Sequence, residues 1–64
     1  MTMTGKELVN RLKRNGWKLD RVHGSHHIMI KEGYLPATVP VHGNKDIPKG
    51  TLNQLLKDTG LKGR

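Results

Sequence analysis

Gly24-Ser25-His26-His27-Ile28-Met29-Ile30 changes within a few residues from a tight polar turn into an apolar, β-branched run. Glycine lets the backbone take positive φ or pass close to a ligand. Serine can hydrogen-bond neighbouring backbone and fix the turn, and the residues that follow suit a strand. A histidine at such a junction is held by the strand while its ring stays near solvent. Histidine takes up or releases a proton near neutral pH. Turn, anchor and proton carrier in succession make His26, supported by Gly24 and Ser25, a candidate active-site edge.

On the N-terminal side, Trp17 to Val22 alternates, with Trp17 and Leu19 on one face and Lys18 and Asp20 on the other. That pattern predicts a strand half exposed to water. His23-Gly24-Ser25 makes the turn, and His26 to Lys31 is the second strand. Lys31 to Pro36, with Gly33, is a second turn, and Ala37 to Val41 is the third strand. Pro40 lacks an N–H, which marks that strand as an edge. Strict alternation groups His26 with Ile28 and Ile30, the face expected to meet the core, and His27 with Met29 and Lys31. Either His26 sits at the mouth of the turn before the strand enters the core, or a bulge resets the parity. The sequence leaves both open.

Further out, Met1-Thr2-Met3 reads as a frayed start, and Thr4-Gly5-Lys6-Glu7 fits a capping box. Leu8, Val9 and Leu12 share one side at helical spacing, with Gly5 close by to admit another element. Lys6, Lys13 and Arg14 point away, Arg11 lies on a flank, and Gly16 stops a helix running from about Gly5 to Asn15. Beyond the strands, His42-Gly43-Asn44-Lys45-Asp46 is a polar loop and Pro48 suits the first turn of a second helix. Leu52, Leu55 and Leu56 form its buried stripe, Gly60 ends it, and Leu61 can fold back on the last turn as in a Schellman motif. The order α-β-β-β-α gives a single domain over residues 1–64. Its class is α+β: a three-stranded antiparallel sheet with both helices on one face and the other face open.

At 64 residues, one third of them hydrophobic, the core is near the lower limit for independent stability. Trp17 is expected in it, and Tyr34 in a loop. Cysteine is absent, so neither disulfides nor a thiolate metal site can supplement the core. No apolar run approaches the ~20 residues a membrane span needs, and no hydrophobic leader is visible; a cytoplasmic location is expected. His23, His26, His27 and His42 do not match zinc-ligand spacing, and no metal or cofactor is expected.

Twelve Lys and Arg against five Asp and Glu leave a net charge of +7. So large an excess in so small a chain favours an acidic partner, nucleic acid above all. Lys6, Lys13, Arg14, Lys18, Arg21, His27, Lys31, His42 and Lys45 are the candidate phosphate contacts. With so few aromatic residues, recognition would lean on phosphate and 2′-OH groups more than on base stacking.

Several segments together resemble the HicA toxins of bacterial type II toxin–antitoxin systems, over essentially the whole chain. They are the short N-terminal helix, Gly16-Trp17, Gly24-Ser25-His26, Val39-Pro40-Val41-His42-Gly43, and Lys49-Gly50-Thr51-Leu52 through Gly60-Leu61. The resemblance implies a fold like a double-stranded-RNA-binding domain, endoribonuclease activity against mRNA, neutralisation by a HicB-type antitoxin, and a catalytic role for His26. In that role His26 would be the general base that deprotonates a ribose 2′-OH. The general acid stays open between His42, His27 and water, and Ser25 would orient the turn or a phosphate. Two other readings use the same features: a non-catalytic double-stranded-RNA-binding module, and an adaptor for an acidic protein.

Overall fold

The computed structural model describes residues 2–62, so Met1 and the start expected there lie outside the described residues. The first helix begins on a closed cap. The Thr4 hydroxyl oxygen accepts the Glu7 N–H at 3.1 Å, and the Thr4 N–H donates to Glu7 Oε1 at 2.9 Å. This capping box opens α1 (Gly5–Arg14), which buries Gly5, Leu8, Val9 and Leu12. At its other end, Gly16 N–H donates to Lys13 O at 3.2 Å and Trp17 N–H to Leu12 O at 3.0 Å, the two bonds of a Schellman motif.

The same device closes α2 (Lys49–Asp58), whose buried stripe is Leu52, Leu55 and Leu56. Gly60 N–H donates to Lys57 O at 3.2 Å, and Leu61 N–H to Leu56 O at 2.9 Å. Trp17 and Leu61, each following a helix-ending glycine, drop into the core.

Between the helices run β1 (Lys18–His23), β2 (His26–Ile30) and β3 (Ala37–Pro40), antiparallel and in the order β1-β2-β3. Pro40 thus ends an edge strand, as expected. Met29, Ala37 and Val39 meet Leu8, Leu12 and Leu52 in the core, so both helices cover one face of the sheet. The α-β-β-β-α order and this layering agree with a fold like a double-stranded-RNA-binding domain.

Three sequence expectations are corrected. The core face of β2 carries Met29, fully buried, whereas Ile30 is 39% exposed. A flexible, unbranched methionine beside the small Ala37 fits the irregular space under two helices, and Ile28 and Ile30 take the open face. His26 therefore lies on the open face. Second, β1 starts at Lys18 and all six of its residues are exposed. As an edge strand it leaves Leu19 at 40% and Val22 at 49% exposure, and Trp17, just before it, is the residue that reaches the core. Third, Met3 is buried, because Ile47 N–H donates to Met3 O at 2.8 Å and Thr4 bridges to Asp46. Tyr34 lies in the loop between β2 and β3, as expected, and packs there. Its ring centre lies 5.2 Å from that of Trp17, and its hydroxyl rests against Gly60.

Candidate nucleic-acid interface around His26

The hairpin joining β1 to β2 closes over Gly24-Ser25, with His23 and His26 as direct cross-strand partners. Gly24 has φ 57°, and among the described residues no non-glycine has positive φ. Positive φ at the first central position alone is what a type II′ hairpin turn requires. A Cβ on Gly24 would meet nothing within 4 Å, so backbone conformation, not space, selects glycine there.

Along β1 the register slips between Leu19, which pairs with Met29, and Arg21, which pairs with Ile28. Asp20 is the extra residue, and the bulge resets the alternation of everything after it. Arg21 and His23 would otherwise face the helices. With the bulge they share the open face with His26 and Ile28. Neither expected route frees His26: β2 alternates without a break and carries His26 on the open Ile28–Ile30 face, while the bulge lies in β1 and reorients Arg21 and His23. Asp20 holds Arg21 Nη1 at 3.0 Å, an exposed ion pair worth at most about 1 kcal/mol.

Other elements converge on the same end of the sheet. Val41 N–H donates to Ser25 O at 2.7 Å, tying the chain after β3 to the hairpin turn. His42 follows, exposed, in a turn that Lys45 N–H closes onto His42 O at 3.0 Å. Gly5 sits directly on β3: a Cβ there would lie 2.8 Å from Val41 Cα and strike Pro40 O. That contact and the Thr4–Asp46 bridge bring both helix N-termini here, with Lys6, Lys45 and Lys49 exposed. Helix N-termini carry partial positive charge. At α1, Glu7 offsets it. The Thr4 N–H first, and then the Thr4 hydroxyl, hold that carboxyl below its usual value. The first turn of α2 has no acid.

Of the candidate residues, Gly24, Ser25, His26 and Arg21 share the hairpin, and His42 follows the strand tied to it. Lys6, on α1 over the other face, and Lys45, beside the Thr4–Asp46 bridge, lie at the same end of the fold. Lys13 and Arg14 lie at the far end of α1, about 15 Å away for ten helical residues at 1.5 Å each. Lys18 pairs with Ile30 at the far end of the hairpin. Lys31 is engaged elsewhere: its Nζ donates to Asn15 O at 2.8 Å beyond α1 and lies 5.2 Å from the Tyr34 ring centre. His27 lies on the helix side of β2, half-buried opposite Val39, its Nδ1 enclosed and without a hydrogen-bond partner. The sequence places His23 in the turn and among the histidines tested against zinc spacing, whereas it is the last residue of β1. The signal for its place was the two-residue turn, which makes its flanking histidines partners.

Among the described residues, no group of three or more His, Cys, Asp or Glu is placed to hold a metal ion. Among them, too, no helix is long and apolar enough to cross a membrane. Comparison with curated proteins found no match. The family model for the HicA toxin of bacterial toxin–antitoxin systems matches residues 5–61, which include both helices, the whole sheet and the Gly24-Ser25-His26 turn. The chain therefore belongs to the HicA toxin family, the toxin half of a pair whose other half is an antitoxin.

Proposed function

We propose that this toxin is a metal-independent endoribonuclease that cuts mRNA in the cytoplasm, with His26 as general base, and that a HicB-type antitoxin neutralises it. The observation that carries this reading is the setting of His26. It is exposed on the uncovered face of the sheet, which it shares with Arg21, beside the turn to which Val41 ties the chain just before His42. The neutral imidazole takes the 2′-OH proton as the oxygen attacks the adjacent phosphorus. Basic side chains stabilise the charge that builds on the non-bridging oxygens. The products are a 2′,3′-cyclic phosphate and a 5′-OH end. Ser25, whose carbonyl is tied to Val41, keeps the turn in shape.

The test is incubation of the purified protein and its His26→Ala variant with mRNA in EDTA, followed by end analysis. Discrete fragments ending in 2′,3′-cyclic phosphate, from wild type alone, are expected. RNA that is bound but left intact by wild type would favour a non-catalytic double-stranded-RNA-binding module.

A further inference from the structure

We infer that His23 is the general acid of this site, the imidazolium that protonates the departing 5′-oxygen while His26 acts as base; this rests on the endoribonuclease reading above. Three observations converge on it. His23 and His26 are direct partners across the hairpin. The bulge at Asp20 puts His23 on the open face with His26. Both side chains are exposed, so neither is committed to the core.

Direct partners on one face of an antiparallel pair have Cβ atoms roughly 4.5–5.5 Å apart. Rings splayed from such anchors can stand on either side of one phosphate. An in-line displacement needs this, because the attacking and leaving oxygens lie on opposite sides of phosphorus. Each proton transfer needs contact at roughly 2.6–3.2 Å, which two rings on neighbouring strands can make at once and a single ring cannot. His42 is the competing candidate. It follows the Ser25–Val41 bond in a loop past the end of the sheet, whereas His23 is held in register by strand pairing.

The step balances. The 2′-OH proton passes to the His26 imidazole as the O2′–P bond forms. The P–O5′ bond breaks, and the electron pair left on O5′ takes the His23 proton. His26 ends protonated and His23 neutral, and exchange with solvent restores both. The other charged or titratable groups near the pair are Arg21 on the same face, bound to Asp20, and His42 in the adjoining loop; Lys18 shares that face only at the far end of the hairpin. Pro40 and Thr38 of β3 carry no charge.

The experiment compares single-turnover cleavage by wild type, His23→Ala, His23→Gln, His26→Ala and His42→Ala. Two RNAs are used, one ordinary and one with sulfur replacing the bridging 5′-oxygen at the cut. A thiol leaves at a pKa near 8.5 and needs no acid. On ordinary RNA, His23→Ala and His23→Gln should each lose roughly 10²- to 10⁴-fold in rate with RNA binding retained. On the sulfur substrate both should return close to wild type, while His26→Ala stays defective. The wild-type rate should pass through a maximum with pH, and the His23 variants should lose the alkaline fall. Unchanged cleavage of ordinary RNA by both His23 variants overturns the assignment. So does a loss that sulfur does not rescue, or a sulfur-rescued loss in His42→Ala alone. If wild type cuts neither RNA, the endoribonuclease reading itself fails.

Discussion

His26 and His27, adjacent in sequence, are turned by the central strand to opposite sides of the sheet. His26 is exposed across from Pro40 and His23, whereas His27 is half-buried across from Val39 and Val22. His26→Ala should lower the cleavage rate roughly 10²- to 10⁴-fold, about 3–5 kcal/mol of transition-state stabilisation, with the fold intact. His27→Ala should keep the chemical step and shift stability by roughly 1 kcal/mol. Single-turnover rates and melting curves on both variants check this; equal rate losses would contradict it.

Gly5→Ala pits two effects against each other. Alanine is the better helix former by about 1 kcal/mol. Its methyl, however, would strike Pro40 O and lie 2.8 Å from Val41 Cα, both backbone atoms that cannot swing aside. Forcing α1 off β3 costs roughly 1–3 kcal/mol, so the variant should be less stable in urea titration. A gain in stability would show that α1 does not sit this close.

Leu12 is fully buried beneath the sheet. Leu12→Ala should destabilise by roughly 2–5 kcal/mol, enough to unfold much of the free protein in so small a core. Because an antitoxin binds the folded toxin, mass action should restore the fold in the complex. Circular dichroism of the variant, free and with its antitoxin, reads both halves.

Glu7 carries a pH dependence of known sign. Its folded carboxyl titrates below the ordinary 4.5, held down by Thr4, so the unfolded chain binds that proton more readily. The contribution is fully present above about pH 4.5 and disappears as pH falls through the lowered folded value. Glu7→Gln keeps a capping-box acceptor and lacks the titration. Wild type should therefore melt higher than Glu7→Gln at pH 6, with the gap narrowing below pH 4. A gap constant down to pH 2 would be the wrong result.

RNA affinity should fall steeply with salt, because phosphate contacts release counterions. Four to six contacts to single strands give a log–log slope of about −3 to −4 at ~0.7 per contact. Lys6→Ala and Lys45→Ala, at the His26 end, should each reduce that slope by about 0.7, and Lys13→Ala should leave it alone. Filter binding across a salt series decides, and a slope near zero removes the electrostatic argument.

Features made by residues close in sequence were legible from the sequence. The Thr4–Glu7 box and the Leu61–Leu56 closure span a few positions each, so residue identity alone specifies their hydrogen bonds. Pro40 likewise declares an edge, because a missing donor is a property of one residue. The Gly24-Ser25-His26 turn also belongs to this local class. What sequence could not settle depends on partners far along the chain. Alternation in β2 yields two sets of side chains and no rule for which set is buried. The neighbours Ala37 and Val39 and the helices above them chose Met29. His23 entered the site through a bulge three residues upstream, and a bulge is a mismatch between two strands, present in neither alone. Lys31 was drawn from the open count of basic residues to Asn15, sixteen positions away. A period of two is blind to a shift of one residue, and only packing against a second layer decides which face becomes the interior.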